Sequence, residues 1–242
     1  MVDLYKDIPV LSKDELSTYI YSNNNHFLKI LSKFPYLKNY ILKSRPITIM
    51  IETTNICTND CIICPKSSIS EKKTIMSMNL FKKVLSDYSK MGGGYISLTP
   101  QIGDIFTDNL IKKRIDLIKD FPKIKGSSVT TNAVNITSIS NEELKNILNS
   151  FLRIHISIYG LDEEEYFLMT RRNTYNKVVN NIRRILDISD TNNIIFGFRL
   201  LKNHTESEIN DWIIKNFQRK IPFGYTSTFH NWGGKTDTAS SM

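Results

Sequence analysis

The three cysteines are the residues of this chain best suited to chemistry, and they form one set. They are Cys57, Cys61 and Cys64, spaced C-x3-C-x2-C, and the sequence contains no other thiol. Three thiolates can hold three irons of a [4Fe–4S] cluster and leave the fourth iron open to another ligand. An open metal position is where chemistry takes place in catalytic zinc sites as well. The spacing therefore indicates a cluster with one open coordination position.

Two other interpretations start from the same cysteines. Zinc could take the three thiolates together with a histidine as the fourth ligand. The histidines of the chain, His26, His155, His204 and His230, all lie far from the loop in sequence. A closed structural zinc site usually takes its ligands as two local pairs, and the sequence has no second pair. Buried thiols without any metal are the third interpretation.

Composition narrows the class of protein. The 242 residues are 40% hydrophobic and 23% charged, which suits one large globular domain or barrel. No apolar run is long enough to cross a bilayer, and the N-terminus lacks the pattern of a secretory signal. An odd, clustered set of cysteines argues for a reducing compartment. We therefore expect a cytoplasmic protein without a membrane partner.

The positive charge is spread over the sequence. The net charge is +8, and many basic residues occur as pairs on predicted helical faces, such as Lys72-Lys73, Lys112-Lys113 and Arg183-Arg184. An excess of basic residues can favour binding of nucleic acid, of an anionic membrane or of an acidic small molecule. Scattered pairs without a concentrated stripe or interleaved aromatic residues count against a nucleic-acid partner.

Strand and helix patterns alternate from residue 46 onward. Short β-rich runs are separated by segments with helical periodicity, and several of these segments start with a capping residue. The predicted strands are Ile47–Glu52, Tyr95–Thr99, Ser127–Thr131, Arg153–Ile158, Ile194–Leu200 and Phe223–Phe229. Alternation of this kind predicts βαβ units and a parallel sheet. Six units are fewer than the eight that close a barrel. We predict an α/β fold, a curved and open (β/α)6 partial TIM-like barrel.

The cysteine loop follows the first predicted strand, at the carboxyl end where parallel α/β folds collect their sites. This loop, together with the six units, resembles the radical SAM superfamily, whose fold is a (β/α)6 partial barrel. The resemblance implies a [4Fe–4S] cluster whose open iron binds S-adenosylmethionine. It also implies a reductant such as flavodoxin or ferredoxin and cleavage of S-adenosylmethionine to a 5′-deoxyadenosyl radical. Ile63 departs from the aromatic residue often found before the last cysteine, which alters one contact near the adenine.

Further segments resemble places where the family binds S-adenosylmethionine. Gly103-Asp104 is similar to the end of Gly-Gly-Glu, where glycine permits close backbone approach and an acid pairs with the amino group. Asn132 stands in Thr-Thr-Asn-Ala, similar to Thr-Asn-Gly, and offers both a donor and an acceptor. Ser157 stands in Ile-Ser-Ile-Tyr-Gly, similar to Ile-Ser-Ile-Asp-Gly, where the family binds the methionine carboxylate or the ribose. An ordinary turn or strand end would explain each segment as well.

Arginines provide the remaining candidate contacts. Arg199 lies in the apolar fifth strand, where an unpaired buried charge is costly. Its partner is either a ligand carboxylate, which a guanidinium fork fits well, or an internal carboxylate. Arg171-Arg172 stands where many relatives have Arg-Gly and could contact ligand or solvent. Met76-Ser77-Met78 resembles the family's Met-Ser, and we predict a helix cap with core packing there.

The predicted organisation is an N-terminal helical extension (1–45), a radical SAM partial-barrel domain (46–230) and a flexible tail or truncated extension (231–242). The end of the chain resembles the approach to the cysteine-rich SPASM and twitch extensions, but no later cysteine follows. We therefore expect one cluster. The substrate could be a peptide or a small molecule such as a sugar. The alternative function is a catalytically silent protein that binds a cluster or a peptide, and a zinc-binding nucleic-acid module is a third.

Overall fold

The computed structural model describes residues 46–189, 191–229, 232 and 236. Thr48–Met242 forms one compact unit, and the description concerns the described residues of that unit. The helical extension predicted for residues 1–45 lies outside the described residues, as do His230 and most of the predicted tail. The domain boundaries therefore stay predictions.

One parallel sheet carries the site. Its strands lie side by side in chain order, with β1 and β6 at the two edges of the described sheet. The strands are β1 Thr48–Met50, β2 Gly94–Ser97, β3 Ile124–Thr131, β4 Arg153–Ile158, β5 Ile194–Arg199 and β6 Phe223–Thr226. Each pair of neighbours is parallel, so all six carboxyl ends meet at one edge of the sheet. The predicted open (β/α)6 sheet is confirmed.

Helices connect the strands. They are α1 Met78–Lys90, α2 Ile111–Lys119, α3 Asn141–Asn149, α4 Glu163–Thr170, α5 Tyr175–Ile188 and α6 Glu206–Phe217. Ser77 caps α1 by accepting a hydrogen bond from the Leu80 backbone N–H at 3.2 Å, as predicted for a cap. Among the helices of the described part, none is long and apolar enough to cross a membrane.

Helix α4 was not predicted from the sequence. The Asp162 side chain caps it by accepting from the Glu165 backbone N–H at 2.7 Å, and glutamates in the first turn favour the helix dipole. Its Phe167 and Leu168 side chains are exposed. Apolar residues therefore surround α4 without forming the one-sided stripe by which helices are recognised.

Successive side chains along the strands alternate between the buried core and the face that carries the site. On β5, Ile194, Phe196 and Phe198 are buried, while Arg199, the last residue of the strand, is only half-buried. The Phe198 ring packs edge-on against Trp212 of α6 at 5.7 Å between ring centroids. Burial of one such side chain stabilises the fold by about 1.5 to 3 kcal/mol. The opposite face of the strands is left to line the concave side of the sheet.

Glu165 joins two connections at the carboxyl edge. Its side chain is 0% exposed and accepts hydrogen bonds from the backbone N–H groups of Leu161, Leu201 and Lys202 at 2.9 to 3.0 Å. It also contacts His204 Nε2 at 3.1 Å. The loops that follow β4 and β5 are therefore held together by one buried carboxylate, which we call the Glu165 clamp.

Candidate active site

The cysteine loop runs from β1 toward α1 and docks on the end of α4. The backbone N–H groups of Asp60 and Ile62 donate to the carbonyls of Thr170 and Met169 at 3.0 and 2.9 Å. The Cys64 N–H donates to the Cys61 carbonyl at 3.0 Å, which closes a turn between the last two cysteines. The unpredicted helix α4 thus provides the shelf on which the loop rests.

The three thiols are free and half-buried. Burial is the main cause that raises the pKa of Cys57 to about 11, and the Asp104 carboxylate raises it further. Burial likewise raises the pKa of Cys61 and Cys64 above the usual value for a thiol. Because such thiols are protonated at neutral pH, binding of a cation must displace their protons.

A single zinc ion and a [4Fe–4S] cluster place different demands on the three thiols. Among the described residues, no group of three His, Cys, Asp or Glu side chains converges on one metal position. A single zinc ion needs its ligands at one centre. A [4Fe–4S] cluster takes thiolates on separate irons, so its cysteines need not converge on one point.

Lys66 organises the loop from within. Its ammonium donates to the backbone carbonyls of Cys57 and Asn59, at 2.7 and 2.9 Å. The same positive charge acts to lower the pKa of the three thiols, although burial outweighs it. The sequence analysis missed this residue because a lysine after the last cysteine has no distinguishing pattern.

Two polar side chains inside the loop have unmet hydrogen-bonding capacity. Asn59 is 2% exposed, and neither its amide oxygen nor its nitrogen has a hydrogen-bond partner in the described structure. The amide is close enough to Tyr166 to act on the pKa of that phenol, without hydrogen-bond geometry. The Thr58 hydroxyl is likewise without a partner there. Since buried polar groups are normally satisfied, these atoms fit a bound cofactor.

Gly103 packs against the cysteine loop. A Cβ on this residue would lie 2.3 Å from the Thr54 carbonyl oxygen and 3.1 Å from that of Ile56. The close approach that glycine permits is therefore made by the chain's own backbone. Glu52, just after β1, holds the same region by accepting from the N–H groups of Gln101 and Ile102, at 3.0 and 3.2 Å.

Asp104 is buried and internally satisfied. Its Oδ1 accepts from the Phe106 N–H at 3.0 Å, and its Oδ2 accepts from the Asn132 N–H and the Thr131 hydroxyl at 2.7 and 2.8 Å. Burial raises the pKa of this carboxyl, while these hydrogen bonds act in the opposite direction. Both residues help to fix the backbone of the segments that they contact. Contact of Gly103 or Asp104 with a ligand stays a prediction.

Asn132 reaches the cysteine loop directly. Its Nδ2 donates to Cys57 Sγ at 3.4 Å, and its Oδ1 accepts from the Val134 N–H at 3.0 Å. The residue therefore makes the turn expected of an asparagine and also contacts a cysteine sulfur.

Ser157 and Arg199 form a pair on the concave face of the sheet. Arg199 Nη1 donates to Ser157 Oγ at 3.2 Å, and no carboxylate of the described residues pairs with the guanidinium. The internal salt bridge considered from the sequence is therefore absent from the described part of the chain. Tyr159, which the sequence analysis did not select, lies beside the pair. Burial raises its pKa, and Cys61 raises it further, while Arg199 acts to lower it.

Arg171 and Arg172 both contact the cysteine loop. Arg171 ends α4 in the left-handed region at φ 55°, and its Nη1 lies 3.9 Å from Asp60 Oδ2. Arg172 Nε donates to the Thr58 carbonyl at 3.2 Å. These arginines support the loop from its outer side.

One cavity brings these groups together. It has a volume of about 270 Å³ and lies at the carboxyl edge of the sheet. Its lining includes all predicted site residues, namely Cys57, Cys61, Cys64, Gly103, Asp104, Asn132, Ser157 and Arg199. A second cavity of about 480 Å³ shares Ile63, Arg199 and Trp232 with the first. Trp232 Nε1 donates to the Ile63 carbonyl at 2.8 Å, so this late residue forms a wall common to both cavities.

The family follows from comparison with known proteins. The model of the radical SAM superfamily matches residues 51–213, which is more than half of the chain. The chain therefore belongs to the radical SAM superfamily. Members of this family are enzymes that use a [4Fe–4S] cluster and S-adenosylmethionine, so the predicted family and cofactors are confirmed.

Individual relatives share the fold at low identity. The chain is 29% identical to GTP 3′,8-cyclase of Clostridium botulinum (strain Okra) over 175 residues, which cover 71% of this chain and 52% of the cyclase. It thus spans about half the length of the curated relatives it matches. SuiB of Streptococcus suis bound to its precursor peptide SuiA has a TM-score of 0.64 at 19% identity, over 84% of this chain and 44% of SuiB. SuiB bound to S-adenosylmethionine has a TM-score of 0.58 at 18% identity, over 90% and 50%.

Proposed function

We propose that this chain is a radical SAM enzyme whose cluster is held by Cys57, Cys61 and Cys64. The observation that carries the proposal is that all three thiols border one cavity together with Asn59, whose side-chain amide has no hydrogen-bond partner among the described residues. Cys57, Cys61 and Cys64 would hold the cluster, which when bound and reduced would supply the electron for cleavage of S-adenosylmethionine to methionine and a 5′-deoxyadenosyl radical, the species that would take a hydrogen atom from the substrate.

Arg199 and Ser157 bind the carboxylate of S-adenosylmethionine in this proposal. The guanidinium has a hydroxyl partner and no carboxylate partner among the described residues, so an anionic ligand would offset its charge. A forked guanidinium suits a carboxylate because it can donate two parallel hydrogen bonds. Ser157 orients the fork, since its oxygen accepts one of the N–H groups.

Backbone around Gly103 and Asp104 forms the side of the cavity that receives the amino group. Asp104 keeps its own oxygens occupied by internal donors, so it acts by fixing the backbone of this segment. Carbonyl oxygens exposed there could accept from an ammonium. Asn59 provides a further unpartnered amide within the loop.

The second cavity is the proposed place of the substrate. It adjoins the first through Arg199 and Trp232 and is lined by threonine hydroxyls and aromatic side chains, which suits a polar molecule with an apolar part. SuiB binds a precursor peptide and the clostridial relative is a GTP cyclase, so both a peptide and a small molecule such as a sugar or nucleotide are candidates. A reductant such as flavodoxin or ferredoxin would deliver the electron. Cytoplasmic location stays a prediction.

The alternative is a protein that binds the cluster without cleaving S-adenosylmethionine. One experiment separates the two. The protein is reconstituted anaerobically with iron and sulfide, reduced with dithionite and incubated with S-adenosylmethionine. We expect about four irons per chain and release of 5′-deoxyadenosine. Cys57→Ala should abolish the product, while Lys112→Ala, at an exposed position of α2, should not change it.

A loaded cluster without any 5′-deoxyadenosine would favour the silent protein. One bound zinc per chain and no visible chromophore would contradict both readings. Full cleavage by Cys57→Ala would show that the cluster lies elsewhere.

A further inference from the structure

Asn132 is held in one orientation by its two hydrogen bonds. Its Oδ1 accepts from the Val134 N–H, so a flipped amide would place two N–H donors against each other. The Nδ2 group must therefore point the other way, where Cys57 Sγ lies at 3.4 Å. Asn132 is 5% exposed, so water competes little for this contact.

A closed ring of hydrogen bonds keeps the amide and the sulfur together. The Asp104 N–H donates to the carbonyl of Ile56, the residue before Cys57, at 2.8 Å. The Asp104 carboxylate in turn accepts from the Asn132 N–H at 2.7 Å. The ring therefore links the cysteine loop, the β2 connection and the end of β3. Asp104 is a positioning residue in this ring.

The contact distinguishes Cys57 from the other two cysteines. Among the side chains that the structure describes, Asn132 alone donates an N–H to a cysteine sulfur. The backbone N–H of Asn59 also lowers the pKa of Cys57, and that of Lys66 acts in the same way on Cys64. Cys61 has no such donor among the contacts described.

We propose that Asn132 sets the reduction potential of the cluster by donating a hydrogen bond to the Cys57 thiolate. This inference rests on the proposed placement of the cluster at the three cysteines. Reduction adds negative charge to the cluster and its sulfur ligands, and a donor stabilises that charge. Hydrogen bonds to the sulfurs are one of the means by which a protein tunes such clusters. Loss of the donor makes the cluster harder to reduce.

Asn132→Asp separates the hydrogen bond to the Cys57 sulfur from the part that Asn132 plays in the backbone turn at Val134. Aspartate has the same shape and keeps an oxygen to accept from the Val134 N–H, but it cannot donate to sulfur when ionised. It also places a negative charge beside the thiolate. Asn132→Ala removes the donor without adding charge. Asn135 offers a matched control after the same strand, because its Nδ2 donates to the Phe106 carbonyl at 2.9 Å and not to a sulfur.

The test is a potentiometric titration of the reconstituted proteins, followed by the EPR signal of the reduced cluster without S-adenosylmethionine. In Asn132→Asp we expect the equilibrium constant for reduction to be about tenfold smaller. For one electron, this corresponds to a midpoint potential that is about 59 mV more negative. Asn132→Ala should shift in the same direction by a smaller amount. Asn135→Ala should match the wild type.

The proposal would be overturned if both Asn132 variants, at full iron loading, had the same midpoint potential as the wild type. It would also be overturned if Asn135→Ala shifted the midpoint potential as much as the Asn132 variants do. If Asn132→Asp takes up no iron, Asn132→Ala decides. Loss of iron from both variants in folded protein would also overturn it, since the residue would then be needed for binding. Absence of a cluster from the wild type would instead refute the proposed cluster placement, before any variant is compared.

Discussion

The Glu165 clamp and the cysteine loop lie at the same edge of the sheet, yet they differ in how their buried polar groups are satisfied. Glu165 has four hydrogen-bond contacts, and the protein alone supplies all of them. In the cysteine loop, Asn59 and Thr58 carry buried polar atoms with no partner among the described residues. The comparison indicates that the clamp is complete without a ligand, whereas the loop is completed by one.

The largest expected effect is on the loop. Cys57→Ala, Cys61→Ala or Cys64→Ala should each reduce bound iron sharply and abolish 5′-deoxyadenosine, because each removes one of three thiolates. Iron content and product analysis measure this. The same variants should leave the free energy of unfolding of the apo-protein almost unchanged, because the apo thiols bind no cofactor. A variant that keeps full iron and activity would contradict the assignment of that cysteine.

Glu165→Ala tests the clamp. It leaves three part-buried backbone N–H groups without their acceptor, so we expect a loss of about 3 kcal/mol in the free energy of unfolding. Denaturant unfolding of the apo-protein measures it. Glu164→Ala, one residue earlier with a side chain 78% exposed, should change stability by less than about 0.5 kcal/mol. Equal effects in the two variants would show that burial of Glu165 carries no special weight.

Asn59→Ala sharpens the difference between the regions. Since the amide has no hydrogen-bond partner among the described residues, its loss should cost the apo-protein less than about 1 kcal/mol, while weakening binding of S-adenosylmethionine or cluster about tenfold. Asn135→Ala removes a hydrogen bond that is made within the protein. It should lower the free energy of unfolding of the apo-protein by about 1 kcal/mol and leave binding of S-adenosylmethionine and cluster unchanged. Calorimetry measures the binding of S-adenosylmethionine by both variants, and denaturant unfolding measures the free energy of unfolding of their apo-proteins. A destabilised Asn59→Ala apo-protein with normal binding would contradict the ligand role.

The smallest expected effect lies beyond the clamp, at the start of α6. Thr205 and Glu208 form a capping box, and Thr205→Ala should cost about 1 kcal/mol without changing the cluster. Hydrogen bonds from the Thr205 backbone and hydroxyl lower the pKa of Glu208. This contribution is present above the usual pKa of glutamate and is lost as the pH falls through the lowered value. The stability difference between wild type and Thr205→Ala should therefore narrow at low pH, because the bond from the Thr205 hydroxyl to the Glu208 carboxylate weakens, while the bond from the Glu208 N–H to the hydroxyl remains.

The sequence predicted the sheet and the location of the loop because both depend on local patterns. β-rich runs and helical periodicity recur in order, and parallel connectivity brings every carboxyl end to one edge. Cys57 and Asn132 follow β1 and β3, Ser157 lies near the end of β4, and all three line one cavity. The spacing of the cysteines and the resemblance of short segments were therefore enough to select part of the cavity lining.

Contacts between distant segments could not be predicted. Asp104 was selected as a ligand group, but its burial against Thr131 and Asn132 depends on pairing across 27 and 28 residues. Glu165 was not selected, because three of its four partners, Leu201, Lys202 and His204, follow a different strand. Tyr159 could have been found, since it stands where the family pattern has aspartate. Helix α4 has no apolar stripe, so periodicity gave no signal for it.

The measurement that tests the central claim most directly is the EPR spectrum of the reduced, reconstituted protein before and after addition of S-adenosylmethionine. If Cys57, Cys61 and Cys64 leave one iron open, S-adenosylmethionine should bind that iron and change the spectrum of the wild type. Arg199→Ala, which keeps all three cysteines, should need a higher concentration for the same change. A wild-type cluster whose spectrum is unaffected by saturating S-adenosylmethionine would contradict the claim.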